Sequence, residues 1–260
     1  MNKPLFLGIV IAASASTFAQ FADATNIWTS ALGTKATRGT PDFTAAYDNT
    51  INFTGVGTSS GAVGPANGST GTFMDADDLT VIASEVSKPV VGFTFSSSNG
   101  NSVVVNASPT VVFWTNNANA PATLLKTVRF NPILLSALSV NLWTYTPGTT
   151  LFTLPASGKI FMGVSWDNFA DVTNSGISDL QLSKVGQGVF NPPAVGSSAD
   201  LFWTSNGFGN NAVNNPLGIT TNFGGSPVAS FGDSLTTVPE PGSIAAVAFG
   251  LLAFRIRRRK

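Results

Sequence analysis

The sequence predicts an all-β protein whose body is an antiparallel, jelly-roll-like β-sandwich. The first observation is a series of short segments in which apolar and polar residues alternate, separated by turn-forming residues. The second is composition: 26 glycines and 15 prolines disfavour long helices, whereas 20 phenylalanines and five tryptophans can fill a core. Helices are therefore expected only at the two ends, as an N-terminal signal helix and a C-terminal hydrophobic helix.

The predicted strands follow one another from residue 91 onward. Val91, Phe93 and Phe95 alternate with small or polar residues, so they share one face of a strand. Asn99-Gly100 is typical of a hairpin turn and leads to a second strand at 103–105. Further strands are expected at 79–86, 110–116, 124–130 and 159–166, and weaker ones at 177–182 and 201–205. Because proline weakens a central strand, loops are assigned to Pro109, Pro121, Pro132, Pro147 and Pro155.

Composition divides the chain into four segments. These are a signal peptide at 1–24, a loose Gly/Ser/Thr-rich segment at 25–72, a β-sandwich domain at 73–235, and a C-terminal signal at 236–260. The stretch 55–71 within the second segment is expected to be a flexible loop.

The charge and the residue types exclude several function classes. Between residues 25 and 238 there are seven basic and eleven acidic residues, which gives a net charge of −4. A mildly acidic body without a basic cluster is a poor nucleic-acid binder, so no such partner is expected. The chain has no cysteine and no histidine, so disulfides are absent and zinc or copper lacks its usual ligands. Hard cations held by oxygen atoms remain compatible with the sequence.

The N-terminal stretch "MNKPLFLGIVIAASASTFAQFADA" has the pattern of a secretory signal. Lys3 supplies the positive charge and the apolar run extends from Leu5 to Ala15. Small residues at Thr17-Phe18-Ala19 and at Ala22-Asp23-Ala24 offer two cleavage sites, and the sequence does not choose between them. The alternative, a permanent membrane helix, needs about 20 apolar residues, and this run is shorter.

The C-terminal stretch has three physical parts. Pro239 and Pro241 flank Glu240 and keep the chain extended. The run from Ile244 to Phe254 carries no charge, and it is followed by a cationic tail. By the positive-inside rule the tail stays cytoplasmic and stops translocation, which leaves the body outside. The tail consists of Arg255, Arg257, Arg258, Arg259 and Lys260.

This order of a Pro-Glu-Pro motif, a hydrophobic helix and a basic tail resembles the PEP-CTERM sorting signal of Gram-negative bacteria. The resemblance implies that a membrane-embedded exosortase recognises Pro239, Glu240 and Pro241 and cleaves near them. It also implies transient anchoring in the inner membrane and delivery to the outer surface or the extracellular polysaccharide matrix. The alternative is an ordinary tail anchor that follows an incidental Pro-Glu-Pro. The body segment 111–168 loosely resembles β-sandwiches of other PEP-CTERM proteins, which implies fold alone.

The densest acidic group is Asp75, Asp77 and Asp78 in "MDADDL". Alternating aspartates can present oxygen ligands to calcium, which makes these three weak calcium candidates. The spacing is not that of an EF-hand, however, because the glycine and glutamate of that loop are missing. The favoured interpretation is a solvated acidic turn, and no cofactor is otherwise expected.

Other chemistry is weaker still. The stretch "WDNFAD" at 166–171 offers oxygen ligands or a sugar-binding ring, although a simple turn is favoured. Asp167 and Asp179 are formally a glycosidase pair, yet nothing places them in one cleft. The tryptophans are expected to fill the core rather than to line a sugar-binding face.

The sequence therefore predicts an exported structural or adhesive protein of the cell surface or extracellular matrix, without enzyme activity. Its expected partners are the exosortase, the membrane in passing, and extracellular polysaccharide. A secreted carbohydrate-binding module is the alternative, and a glycan-active enzyme is the third hypothesis.

Overall fold

The computed structural model describes residues 21–39, 44–63, 71–167, 177–206, 210–214, 216–224 and 229–238. The predictions for the signal peptide, for Pro239 to Pro241 and for the C-terminal helix and tail fall on residues outside these ranges. The described residues form a short 3₁₀ helix at Ala83–Glu85 and two short α-helices, α1 (Asp179–Leu182) and α2 (Asn210–Asn214).

The strands of these ranges are, in chain order, β1 (Thr25–Ala31), β2 (Ala36–Thr37), β3 (Tyr47–Asp48), β4 (Asn52–Gly57), β5 (Ala62–Val63), β6 (Gly71–Thr72), β7 (Asp75–Thr80), β8 (Pro89–Asn99), β9 (Val105–Ala107), β10 (Pro109–Asn117), β11 (Ala120–Arg129), β12 (Ile133–Leu135), β13 (Ser139–Tyr145), β14 (Phe152–Thr153), β15 (Lys159–Trp166), β16 (Val185–Gly186), β17 (Gly188–Phe190), β18 (Leu201–Ser205), β19 (Gly218–Asn222), β20 (Ser230–Phe231) and β21 (Ser234–Thr237).

Two large sheets dominate the architecture. The seven-stranded sheet has the order β1-β13-β8-β21-β3, and β14 and β16 also pair with β8. The six-stranded sheet has the order β11-β10-β15-β7-β18-β19. Neighbouring strands in both sheets run antiparallel, which confirms the all-β, antiparallel prediction.

The main core lies between these two sheets and is rich in phenylalanine. Phe93 of β8 is 1% exposed, and its ring centroid lies 5.0 Å from that of Phe113 on β10. Phe113 in turn lies 4.8 Å from Phe152. Such close, tilted or edge-on ring pairs stabilise a core beyond the area they bury. Apolar residues that alternate along β15, from Ile160 to Trp166, complete the facing layer.

The outer faces of both sheets are covered as well. Trp114 on the outer face of β10 is fully buried, and its indole N–H donates to the carbonyl of Val213 in α2 at 2.8 Å. Gly163 makes room for this ring, because a Cβ there would lie 2.8 Å from it. On the other side, a four-stranded sheet of order β2-β4-β17-β20 packs against β13 through Phe53 and Phe190.

The strand predictions at 110–116, 124–130, 159–166 and 201–205 correspond to β10, β11, β15 and β18. Pro109 and Pro121 were expected in loops, but Pro109 is the first residue of β10 and Pro121 lies in β11 opposite Asn116. Strand β11 is at the edge of its sheet, where one row of backbone groups faces outward and a missing N–H is tolerated. The predicted strand at 79–86 is wrong beyond Thr80, because the 3₁₀ helix begins at Ala83.

The hairpin predicted at Asn99-Gly100 is wrong. Strand β9 pairs with β12 and not with β8. The Asn99 side chain organises the loop instead: its amide donates to the carbonyls of Val103 and Leu135, and its oxygen accepts from the Asn101 backbone at 2.9 Å. An asparagine side chain thus takes the place of the turn's backbone hydrogen bonds.

Two further local predictions fail for identifiable reasons. A β-bulge in the pairing of β8 with β21 leaves Val91 half-buried and puts Val90, with 0% exposure, into the core beside Phe93. The weak strand at 177–182 is the helix α1, because Ser178 and Gln181 form a capping box at its start.

The segment 25–72, expected to be loose, is built into the sandwich where the structure describes it. It contains the strands β1 to β6. Strand β1 pairs with β13 in the seven-stranded sheet, and Tyr47 of β3 is fully buried. The many polar residues of this segment led to the prediction of a loose structure. Its strands are nevertheless part of the sandwich, because strand pairing as well as apolar side chains holds them there.

Candidate functional site

Strand β7 carries Asp75, Asp77 and Asp78 into the middle of the six-stranded sheet, between β15 and β18. Their exposed fractions are 5%, 0% and 4%. The interpretation as a solvated acidic turn is therefore wrong, because strands pair with this segment on both sides. Strand alternation puts Asp75 and Asp77 on the inner face with Leu79, and Asp78 on the outer face with Ala76.

Asp75 and Asp78 have hydrogen-bond donors within reach. The Asp75 carboxylate accepts from the Thr204 hydroxyl at 2.7 Å. The Asp78 carboxylate accepts from the Ser198 hydroxyl at 3.0 Å and from the Ala199 amide at 2.9 Å. Burial raises the pKa of both groups, and these hydrogen bonds counteract the rise. Both aspartates therefore have a structural explanation in the loops and strands around them.

Asp77 shares the inner face of β7 with Asp75, but its carboxylate contacts strand β20. Its Oδ2 accepts from the Ser230 hydroxyl at 2.6 Å and from the Phe231 amide at 2.9 Å. The Ser230 hydroxyl also lies 3.1 Å from the Tyr47 hydroxyl. The other oxygen, Oδ1 of Asp77, has no hydrogen-bond partner although it is buried.

A second buried carboxylate, Asp233, lies close enough to Asp77 for its charge to raise the Asp77 pKa. Asp233 is 0% exposed, and neither of its oxygens has a hydrogen-bond partner. Burial raises the pKa of Asp77 and Asp233 well above the ordinary aspartate value of 3.8, and the charge of Asp233 raises that of Asp77 further. Burial and the nearby Asp77 likewise raise the pKa of the Tyr47 phenol well above 10.0. Each unpartnered buried acceptor costs about 1–3 kcal/mol.

Two amide side chains add to this acceptor-rich cluster. Asn49 donates its Nδ2 to the Phe231 carbonyl at 2.9 Å, and Gln187 donates its Nε2 to the Asp75 carbonyl at 3.0 Å. Both residues are 0% exposed, and the side-chain oxygen of each has no partner. We call Asn49, Asp77, Gln187 and Asp233 the buried oxygen cluster.

The sequence points to Asp77 alone among these four. Asn49, Gln187 and Asp233 each stand beside an aspartate or a glycine, which is typical of an ordinary loop. Only the pairing of β20 with β17 and of β21 with β3 and β8 brings them to Asp77. The separation of 156 positions between Asp77 and Asp233 leaves no local signal.

The other predicted site residues have different surroundings. Trp166 is fully buried in the main core, so its face is not available to a sugar. The Asp167 carboxylate accepts from the Ser108 amide at 2.7 Å, whereas Asp179 is exposed in the first turn of α1. Four of the five tryptophans are at most 6% exposed, which confirms the expectation that they fill the core.

The C-terminal end of the described fold is strand β21, which lies between β3 and β8. The Thr237 hydroxyl donates to the Glu85 carboxylate, and the Val238 amide donates to the Pro89 carbonyl at 3.0 Å. Lys88 pairs with the same carboxylate at 3.0 Å. Burial raises the pKa of Glu85, but the hydrogen bonds and the lysine charge outweigh it and lower the pKa below 4.5. The fold thus holds the chain up to Val238, one residue before Pro239.

The identity of the segment that follows is decided by a family match. Residues 237–260 match the family described as the PEP-CTERM protein-sorting motif. The chain carries a PEP-CTERM motif. The match begins at Thr237, the last residue of β21, and confirms the resemblance inferred from Pro239, Glu240 and Pro241. The PEP-CTERM motif implies an exported protein that an exosortase sorts to the surface or the outside of the cell. No curated protein and no solved structure matches this chain.

Two findings on the described residues bear on membranes and metals. None of the helices in these ranges is long and apolar enough to cross a bilayer, and the PEP-CTERM hydrophobic run 244–254 lies outside them. Within the same ranges, no three carboxylates come together in a way that could hold a metal ion. A cation bound there would therefore need amide or hydroxyl oxygens in addition to carboxylates.

Proposed function

We propose that the protein is a structural or adhesive component of the cell surface or extracellular matrix, delivered by an exosortase that acts on its PEP-CTERM segment. One observation supports this proposal above others. The strand β21 ends at Thr237, and among the described residues the last backbone hydrogen bond is donated by Val238. Cleavage near Pro239 would therefore remove the tail without removing any strand of the two large sheets.

Each part of the PEP-CTERM segment has a proposed role. Pro239 and Pro241 hold an extended peptide at the membrane surface, and Glu240 offers a negative charge to the enzyme. The apolar run 244–254 anchors the chain in the membrane for a short time. It spans about 16 Å at 1.5 Å per residue, against a hydrocarbon core of about 30 Å, which suits a temporary anchor. The basic tail 255–260 fixes the orientation.

The N-terminal residues of the fold favour one of the two signal cleavage sites. The Ala22 amide donates to the Arg129 carbonyl at 2.8 Å, and the Asn131 amide donates to the Ala22 carbonyl at 2.9 Å. Phe21 and Ala24 pack against the hydrophobic clusters on the two faces of the six-stranded sheet. Cleavage after Ala24 would remove these contacts, whereas cleavage after Ala19 would keep them. We propose cleavage after Ala19, which shortens the signal expected at 1–24.

Mass spectrometry of both ends of the mature protein from its native host tests this function. We expect the first residue to be Gln20 and the residues beyond the Pro-Glu-Pro region to be missing. Glu240→Ala should leave the tail attached, and Asp179→Ala, which removes an exposed carboxylate from the body, should not. Intact Lys260 on wild-type protein at the cell surface would contradict sorting, and Thr25 as the first residue would contradict cleavage after Ala19.

Glycan binding is the second candidate, and one observation favours it. A cavity of about 280 Å³ lies beside the four-stranded sheet and has mostly polar walls. Binding on a glycan array that Asn52→Ala abolishes, but Asn206→Ala does not, would favour this function. Turnover of a polysaccharide that is lost in Asp167→Asn or Asp179→Asn would favour an enzyme, and the prediction of no enzyme activity stands until that is measured. The cavity is lined by Lys35, Ala36, Thr37, Asn52, Phe53, Thr54 and Asn191.

A further inference from the structure

We propose that the buried oxygen cluster of Asn49, Asp77, Gln187 and Asp233 binds one calcium ion between the two large sheets. This inference does not depend on the proposed function, because it rests on the interior of the body and not on the PEP-CTERM segment. It also differs from the calcium site suggested by the sequence, since Asp75 and Asp78 have their own hydrogen-bond donors.

The first step is the number of oxygen atoms that lack a partner. They are Oδ1 of Asn49, Oδ1 of Asp77, Oε1 of Gln187 and both carboxylate oxygens of Asp233. All four side chains are 0% exposed. Buried polar atoms in proteins almost always have a hydrogen-bond partner. Five acceptors without a partner, on four side chains linked by one short segment, therefore indicate a bound ligand.

The second step is that hydrogen bonds link the residues that carry these side chains to the segment 230–233. The Phe231 amide donates to Asp77, and the Phe231 carbonyl accepts from the Asn49 side chain. The Asn49 amide donates to the Asp233 carbonyl at 2.9 Å. Gly188, next to Gln187, accepts from the Gly232 amide at 3.1 Å. Each member of the cluster is therefore tied to this segment directly or through an adjacent residue.

The third step is that protons and basic side chains do not satisfy the cluster. Protonation of both carboxylates would turn two of the five acceptors into donors, and these could satisfy two more oxygens, which still leaves one oxygen without a partner. The Ser230 hydroxyl already donates to Asp77. Among the residues that the structure describes, no lysine or arginine is buried, so no basic side chain reaches this interior. A bound cation neutralises both carboxylates and accepts several oxygens at once.

The fourth step is the choice of cation. Every candidate ligand is an oxygen atom, and the chain has no histidine or cysteine, so zinc and copper are disfavoured. Calcium takes six to eight oxygen ligands in flexible geometry, including carboxylate and amide oxygens. Magnesium requires an octahedron and retains several waters, which a fully buried cluster accommodates poorly. The ligand set therefore favours calcium over magnesium.

The test is calcium binding to the purified full-length protein, stripped with chelator and then titrated with calcium chloride. We expect one calcium per chain in equilibrium dialysis. At free calcium about 100-fold above Kd, the thermal midpoint should rise by about 5–10 °C relative to chelator. Magnesium chloride at the same concentration should raise it much less. Absence of binding and of any shift at millimolar calcium would overturn the proposal.

Three substitutions locate the site. Asp77→Asn and Asp233→Asn keep the shape of each side chain and remove one charge, and each should weaken calcium binding at least about tenfold. Asp78→Asn, the adjacent residue on the opposite face of β7, is the matched control and should bind calcium as the wild type does. Equal binding by all three variants, or equal loss in all three, would overturn the assignment. If the Asp77 or Asp233 variant does not fold, the wild-type protein still tests the proposal. It should bind one calcium per chain and be stabilised more by calcium than by magnesium.

Discussion

The interior between the two large sheets is built in two different ways. Around Phe93 it consists of aromatic rings, with Phe113, Phe130 and Tyr145 at centroid distances of 5.0–6.1 Å. Around Asp77 it consists of oxygen atoms, several of them without partners. Both regions are equally inaccessible to solvent, because the pairing of strands buries a side chain whatever its polarity. The aromatic region stabilises the fold by itself, whereas the oxygen region requires a ligand or protons.

The largest effect is expected in the aromatic region. Phe93→Ala removes a ring that contacts four other aromatic rings, and it should lower the free energy of unfolding by about 3–5 kcal/mol. Chemical denaturation at fixed pH measures this loss. Phe93→Leu, which keeps most of the volume, should cost less than about 1.5 kcal/mol. Equal losses for the two variants would show that ring packing is not what stabilises this region.

The next effect concerns the turn that carries Asp233 into the oxygen region. A Cβ at Gly232 would lie 2.5 Å from Cε2 of Phe190 and 3.0 Å from Cβ of Ser96. Gly232→Ala should therefore cost about 1–3 kcal/mol of overpacking and displace Asp233 from its position beside Asp77.

The matched control is Gly100→Ala. A Cβ there would make only ordinary contacts, at 3.4 Å from the Lys184 carbonyl oxygen, and we expect a change within about 0.5 kcal/mol. Denaturation curves of both variants should be measured with and without calcium. A Gly232→Ala protein as stable as Gly100→Ala would mean that the turn has room the structure does not show.

The pH dependence separates the two regions without any substitution. Because burial raises the pKa of Asp77 and Asp233, the folded state holds protons at pH values where the unfolded state has released them. In chelator, stability should be greatest near the ordinary pKa of 3.8 and fall as pH rises above it, by at most about 1.4 kcal/mol per pH unit for each proton. Asp78 and Asp75 have raised pKa values and act in the same direction.

Glu85 acts in the opposite direction, since its pKa is lowered and its contribution is lost only as pH falls below about 4.5. Tyr47, whose phenol stays protonated well above pH 10.0, adds nothing near neutrality. Denaturation between about pH 5 and 8 in chelator should therefore report the aspartates. Asp233→Asn should flatten the slope. An unchanged slope would contradict a proton held in the oxygen region.

The aromatic region could be predicted from sequence, and the oxygen region could not. Strands β10 and β15 can be predicted because they are apolar on both faces. Val111, Phe113 and Met162 face the main core, and the apolar residues between them face the other side of the sheet. Asp77 and Asp78 follow the same alternation, but aspartate is typical of turns, so propensity argued against a strand. Tertiary pairing with β15 and β18 overrides that local preference.

The C-terminal segment, in contrast, was predicted correctly because its pattern does not depend on distant strands. The PEP-CTERM segment can be recognised from local order alone, since the Pro-Glu-Pro motif, the apolar run and the basic tail follow one another within residues 237–260. The hairpin at Asn99 failed because a side chain satisfies the loop that a turn would otherwise close. Order within one short peptide can be recognised in one sequence, whereas features set by a side chain's choice of partner or by distant strands cannot.

The smallest effect is expected where the body meets the PEP-CTERM segment, outside both interior regions. Thr237→Val removes the hydroxyl that donates to Glu85, while Lys88 keeps its contact with that carboxylate. We expect a loss of about 0.5–1.5 kcal/mol in the free energy of unfolding. Hydrogen exchange at the Val238 amide, which donates to the Pro89 carbonyl, should become faster.

Thr236→Val is the control for this substitution, because it changes the same residue type one position earlier, on the other face of β21. It should leave exchange at Val238 close to that of the wild type. If the two variants behave alike, the contact between Thr237 and Glu85 does not fix the end of the fold. If only Thr237→Val loosens Val238, the contact between Thr237 and Glu85 fixes the last described residue of the fold, directly before Pro239 of the PEP-CTERM motif.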